Sequence, residues 1–307
     1  MLGGSSQALI YLGSRTVSED EIEFEFSQPV TIRQISFDPH LSVASVEEGS
    51  IVKVKFEESA KPGIMLTADL LAEDNKRNTI NVLVSLRSRN NRMPRMVINE
   101  ICTEHSNPRT EFIEFRMLTD GNIGAMRVII MGNTNASRLT VYEFKPAEVK
   151  KDEYMVLHLR TVEDSCVDEY TDNLNLSGGR NATPNARDIW IPGNSKRIHK
   201  EASVVYVLDQ DDNVICGVMI STEVNDWWSK DYIAEAAGFL YKKGVWQSVD
   251  GKLPSPADAI RSTGTTNTRT INRNENAENT NTKIDWYVTV TSGATPGRAN
   301  NTGRYQN

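Results

Sequence analysis

The 307-residue chain contains no apolar run of about 18 residues, so no helical membrane span is expected. Histidine and cysteine are scarce, at 4 and 3 residues. Three thiols cannot all pair within one chain, and Cys102, Cys166 and Cys216 fit no zinc-ligand spacing. Cys102 and Cys216 lie in apolar, strand-like runs, which favours unpaired core thiols, with one disulfide left open as the alternative. His40, His105, His158 and His199 have no histidine three or four positions away, which removes the helical metal-ligand pattern. There is no P-loop, no dinucleotide fingerprint and no Gly-x-Ser-x-Gly elbow. Heptads and a C-terminal prenylation motif are also lacking. Positive charge is in deficit, 34 Lys and Arg against 41 Asp and Glu, for a net −7. That balance disfavours a phosphate backbone as partner. Met1 to Ala8 has neither a charged n-region nor an apolar h-region. Residues 1–13 therefore read as a linker, with any export signal absent from the given chain.

What is present reads as β-structure. Glu21-Ile22-Glu23-Phe24-Glu25-Phe26 alternates acid and apolar residues, which puts Ile22, Phe24 and Phe26 on one strand face. Further strands are expected over 31–37, 50–56, 64–71 and 80–86. Turn signals separate them at Ser27-Gln28-Pro29, Lys61-Pro62-Gly63 and Glu73 to Asn78. Residues 14–92 thus predict a small β-sandwich. The step Phe26-Ser27-Gln28-Pro29-Val30 and the late Glu73-Asp74-Asn75 turn resemble bacterial Ig-like domains, which implies a spacer or contact module.

A second domain is expected over 95–302, with 303–307 as a tail. Asn99-Glu100-Ile101 is followed by Glu111-Phe112-Ile113-Glu114-Phe115, and an apolar strand runs from Tyr154 to Leu159. Two apolar strands, 202–208 and 214–220, flank the turn Asp209 to Asn213. Late in the chain come Arg269-Thr270, Asp285-Trp286 and Thr295-Pro296-Gly297-Arg298-Ala299-Asn300. Taken in this order, these pieces resemble the lamin tail domain, bacterial type. The resemblance implies an Ig-like sandwich in an exported, modular protein. The fold class expected for the whole chain is all-β: two sandwiches, the larger with long inserts and one short helix.

The inserts fall at about 161–191 and 226–244. In the second, Ser229 reads as an N-cap and Tyr232, Ile233, Ala236, Ala237 and Leu240 share one helical face, with Gly244 as the stop. Ser262 to Thr282, rich in Thr and Asn, reads as a flexible or extended loop.

Few residues offer chemistry. Asp209-x-Asp211-x-Asn213 has the spacing that opens a calcium loop, but no sixth-position glycine or twelfth-position acid follows. A polar hairpin turn explains the same residues. Glu100, Glu111 and Glu114 are candidates for acid–base work or for binding a cation, against pairing with Arg109, Arg116 and Arg127 or exposure on the sheet. Cys102, Glu104 and His105 are the nearest approach to a soft-metal cluster. Trp227 and Trp228, just before the helix, are the candidate contact residues for a protein or glycan. No catalytic residue, metal site or cofactor is assigned. The favoured reading is a non-catalytic binding or structural protein of the cell envelope. A metal-dependent hydrolase using acids and histidines of the inserts is the alternative, and nucleic-acid binding by analogy with lamin tails is a second.

Overall fold

The computed structural model describes residues 8–248 and 250–306, and the chain divides into two compact units between Arg92 and Met93. Among the described residues the protein is all-β apart from one short α-helix and three single 3-10 turns.

The first unit holds β1 (Tyr11–Thr16), β2 (Glu21–Asp38), β3 (Val43–Glu47), β4 (Gly49–Phe56), β5 (Met65–Asp74) and β6 (Thr79–Arg87). Their order is β3-β4-β2-β5-β6, with β1 also on β2. β2 is one strand of 18 residues where the sequence pattern gives two. Its first part, to Phe26, pairs with β1 and β4, and its last part, Val30 to Asp38, pairs with β5. Between them the register shifts, at the Ser27-Gln28-Pro29 step. Pro29 has no N–H for a ladder, so the chain bends there and changes its partners. The alternation seen in sequence then builds the core. Ile22, Phe24, Phe26, Val52, Val54, Phe56, Leu66 and Leu70 are all buried. The Glu73–Asn78 turn is closed by Asp74, whose carboxylate accepts the N–H groups of Lys76 (2.8 Å) and Asn78 (2.9 Å). The hydrogen bond from the Asn78 side chain holds that carboxyl below its ordinary range. β1 begins inside the stretch read as linker, and β3 carries no apolar alternation that would have revealed it.

The second unit opens with β7 (Met96–Cys102), β8 (Phe112–Met117), β9 (Gly121–Asn122), β10 (Arg127–Gly132) and β11 (Thr140–Glu143). Next come β12 (Glu148–Val149), β13 (Tyr154–His158), β14 (Ala186–Trp190), β15 (Ala202–Leu208) and β16 (Val214–Ser221). After α1 (Asp231–Lys242) come β17 (Ile260–Arg261), β18 (Ile271–Arg273) and β19 (Trp286–Val288). Two sheets, β14-β13-β8-β7-β18-β19 and β11-β10-β15-β16-β17, enclose one apolar core. β9 and β12 form a small pair of their own.

α1 packs on β10, β15 and β16 through Ile233, Ala236, Ala237 and Leu240, the face the sequence spacing predicts. Its N-cap is Lys230 rather than Ser229, and no side chain caps it. Gly244, at φ +73, makes the stop. Gly217 in β16 allows the close approach, since a Cβ there would meet Leu240 at 2.9 Å.

Three loop expectations need correction. Residues 186–190, inside the supposed insert, form the fully buried strand β14, parallel to β13. The Thr/Asn-rich tract 262–282 contains β18, and Thr265, Thr270 and Asn272 are buried. These polar side chains enter the interior because each finds a hydrogen-bond partner there. The expected tail is also engaged: the Tyr305 N–H donates to the Val288 carbonyl at 2.8 Å.

Candidate functional site

β8, β13 and β14 are buried along nearly their whole length. One face looks into the sandwich, where Ile101, Ile113, Phe115, Met155, Leu157 and Ile189 join the main core. Cys102, Phe112, Val156 and Ala186 form a separate apolar cluster, which the period of two places on the opposite face. That face also carries Glu100, Glu114, His158 and Asp188, none more than 1% exposed. Loops cover it, so these polar groups are answered by the protein rather than by water.

Glu100 and Glu114 face each other across β7 and β8. The register shifts between Ile98 and Glu100, so an extra residue at Asn99 keeps both Ile98 and Ile101 in the core. Like charges set opposite repel unless each is met separately, and the closing loop supplies the partners. The Thr295 N–H donates to Glu100 at 3.0 Å and the Thr295 hydroxyl at 3.1 Å, and the Thr270 hydroxyl donates as well. Glu114 accepts from the Gly297 N–H at 2.6 Å and the Asn99 amide at 2.9 Å. The Asn300 amide completes the knot, donating to the carbonyls of Asn99 (3.0 Å) and Arg273 (2.9 Å). Gly297 sits at φ +77, and a Cβ there would lie 2.9 Å from the Thr183 hydroxyl. Burial pushes Glu100 up to about 7. Burial, then the charge of Glu100, raises Glu114 well above its ordinary range.

Glu111, the third acid, is clamped by Arg160 through two parallel hydrogen bonds, one of 2.6 Å from Nε. The expected arginine partners lie elsewhere. Arg116 reaches Asp152 at 2.7 Å, and Arg127, on the other sheet, takes Asp212. Arg109 closes a small bridge with Ser106. None of the three acids is exposed on the sheet.

A second buried chain runs through His158. Its Nε2 lies 2.7 Å from Asp188, its Nδ1 lies 3.1 Å from the Thr110 hydroxyl, and its ring stacks on Trp190 at 3.7 Å. The connectivity is that of a hydroxyl–imidazole–carboxylate relay. Thr110 lies at the floor of a cleft with Asn181, Asn267 and Pro296, but is itself only 1% exposed. Asp188 also accepts the Thr183 N–H at 2.7 Å, tying down the insert. Glu169 does the same, accepting the N–H groups of Leu176, Ser177 and Asp188. The sequence could not reveal this set: Thr110 and Asp188 lie 48 and 30 residues from His158, with no local spacing to signal it.

The remaining sequence candidates do not converge. Asp209 spends its carboxylate on its own hairpin, accepting the N–H groups of Asp211 and Asn213 at 2.8 Å each. This is the Asx-type turn, which sequesters the oxygens a cation would need. The Cys102 thiol donates to the Glu104 carbonyl at 3.3 Å, while Glu104 faces Lys196 and Lys200. Among the described residues no group of three or more His, Cys, Asp or Glu could hold a metal. All three cysteines are unpaired, and burial raises the Cys102 and Cys216 thiols to about 12. Trp228 is partly buried and donates its indole N–H to Pro254 at 2.9 Å, whereas Trp227 is 69% exposed. No helix among the described residues is long and apolar enough to cross a membrane.

The fold defines an all-β protein of packed sheets with a sealed polar face. A family model described as "TP_1001_2nd: protein second domain" matches residues 94–288, and the chain belongs to that family. Over 224 residues it is 24% identical to an uncharacterized protein of Treponema pallidum (strain Nichols). The match covers 69% of this chain and 55% of the relative, so the chain spans about half the length of that protein. A DUF4876 family protein from Bacteroides thetaiotaomicron VPI-5482, known as a crystal structure, is 12% identical with 90% of each chain covered. Its TM-score is 0.29.

Proposed function

We propose that this chain is a non-catalytic, exported binding or structural protein of the cell envelope, its second unit a lamin-tail-type sandwich. The observation that carries the reading is the use made of the acids. Glu100 and Glu114 spend their oxygens on the Thr295-Pro296-Gly297 loop, and Glu111 on Arg160. The pieces that suggested the lamin tail resemblance, at 99–101, 111–115 and 295–300, therefore meet in one hydrogen-bonded knot. Such a knot serves architecture, since acid–base catalysis needs a carboxyl that reaches substrate. The exposed aromatic face of Trp227, of the kind that binds partners or sugars, supports the second insert as the contact surface.

The test is fractionation of the source cells with an antibody to the chain, followed by binding of the purified chain to the envelope fraction. Recovery with the envelope, and weaker retention of Trp227→Ser, is expected. Recovery in the cytosol, or turnover of ester, glycoside or phosphate substrates, would overturn the reading. A second reading, a hydrolase, is favoured by the Thr110–His158–Asp188 chain beside its cleft. It requires that substrate turnover vanish in Thr110→Val and Asp188→Asn.

A further inference from the structure

Between β7 of one sheet and β16 of the other, the second unit has a cleft of about 280 Å³. Its lining includes two guanidinium groups, Arg95 and Arg273, and not one carboxylate. Among the described residues neither guanidinium has a hydrogen-bond or ion-pair partner. The acids whose charge Arg273 feels are Asp285 and Glu275. Both are committed elsewhere. Asp285 accepts the N–H and hydroxyl of Thr280 at 3.0 and 2.8 Å, and Glu275 accepts the Asn300 N–H at 2.9 Å. Arg273 is half-buried, and the loss of hydration outweighs the charges of Asp285 and Glu275 and lowers it from its ordinary range. Trp286 sits directly across from Arg273 in the β18–β19 pair and lines the same cleft, with Trp246 and Asn279.

A half-buried guanidinium without a direct counter-ion has given up part of its hydration, and a bound carboxylate replaces it through two parallel hydrogen bonds. A flat indole wall adds a surface for the apolar face of a ring. The volume lies at the small end of ligand pockets, enough for one ring and no polymer.

We propose that this cleft binds a carboxylate-bearing ring of monosaccharide size. Arg273 and Arg95 take the carboxylate, Trp286 takes the ring face, and the Asn279 amide meets a ring hydroxyl. The proposal does not depend on where the protein resides or on the role of Trp227. A uronic acid and an aromatic acid share this chemistry, so both are tested.

Calorimetric titration of the full chain with D-glucuronate, indole-3-acetate, D-glucose and sulfate decides it. Saturable 1:1 binding of at least one of the two ring acids is expected, at least tenfold tighter than glucose or sulfate. Preference for glucuronate identifies the sugar acid, and preference for indole-3-acetate the aromatic one. Arg273→Gln and Arg95→Gln each weaken binding at least tenfold, while Trp227→Ser leaves it unchanged. If Arg273→Gln fails to fold by circular dichroism, the exposed Arg95 variant decides alone. No saturation by either ring acid, sulfate binding as tightly as they do, or unchanged affinity in Arg95→Gln would overturn the proposal.

Discussion

Replacing Glu100 by glutamine should change how the second unit's stability depends on pH. Glu100 is fully buried, and burial raises its carboxyl from an ordinary 4.5 to about 7. The folded protein therefore binds this proton more tightly than the unfolded chain does. Stability from this group is fully present below about pH 4.5 and is lost as pH rises through about 7. The shift corresponds to about 3 kcal/mol, most of it falling between pH 5 and pH 8. Carboxyls held low by hydrogen bonds, such as Glu163 and Asp250, act in the opposite direction. They are common to both proteins and cancel in the difference. Glu114 is raised partly by the charge of Glu100, so its own penalty shrinks in Glu100→Gln, with the same sign. All five tryptophans, from Trp190 to Trp286, lie in the second unit, so urea unfolding followed by tryptophan fluorescence reports that unit alone. From pH 5 to pH 8, wild type should lose about 2–3 kcal/mol relative to Glu100→Gln. A stability difference that stays flat across this range would refute the argument that Glu100 is buried against its charge.

Gly297→Ala forces a Cβ to 2.9 Å from the Thr183 hydroxyl at a φ of +77. It should lower the unfolding free energy of the second unit by about 1–3 kcal/mol, read as a lower urea midpoint. Arg160→Met leaves the Glu111 carboxylate buried without its clamp and should cost about 3–5 kcal/mol. Adding Glu111→Gln should recover part of that loss, and a double variant no more stable than Arg160→Met would show that the pairing is not the cause.

The strands legible in the sequence carry either an alternating face, as in the first part of β2, or a run of apolar residues, as in β13 and β15. Ile22, Phe24 and Phe26 alternate with glutamates because that face of β2 packs into the core, and the helical face of α1 shows through for the same reason. β14 was hidden because two of its buried residues are charged. Ala186-Arg187-Asp188-Ile189-Trp190 shows no apolar alternation, since Arg187 and Asp188 are buried on hydrogen bonds made elsewhere in the chain. The same reason concealed the site. The acids at 100, 111 and 114 were visible as a pattern, but their partners were not. Sequence proximity suggested Arg109, Arg116 and Arg127, whereas the donors stand at Arg160, Thr295 and Gly297, fixed by strand order rather than spacing. The cleft at Arg95 and Arg273 was illegible for a related reason: its two cations lie 178 positions apart, Arg95 just before β7 and Arg273 at the end of the neighbouring β18.

The Glu100–Thr295 contact spans 195 positions, and that span has a temporal meaning. Every strand of the first unit has been made once Arg87 is in the chain. On a ribosome adding about 5–20 residues per second, about 10–40 seconds then separate Glu100 from its donor. Throughout that interval the two facing carboxyls have no loop above them, and water must answer their charge. A segment synthesised late in the second unit is thus the one that makes its acidic face an interior.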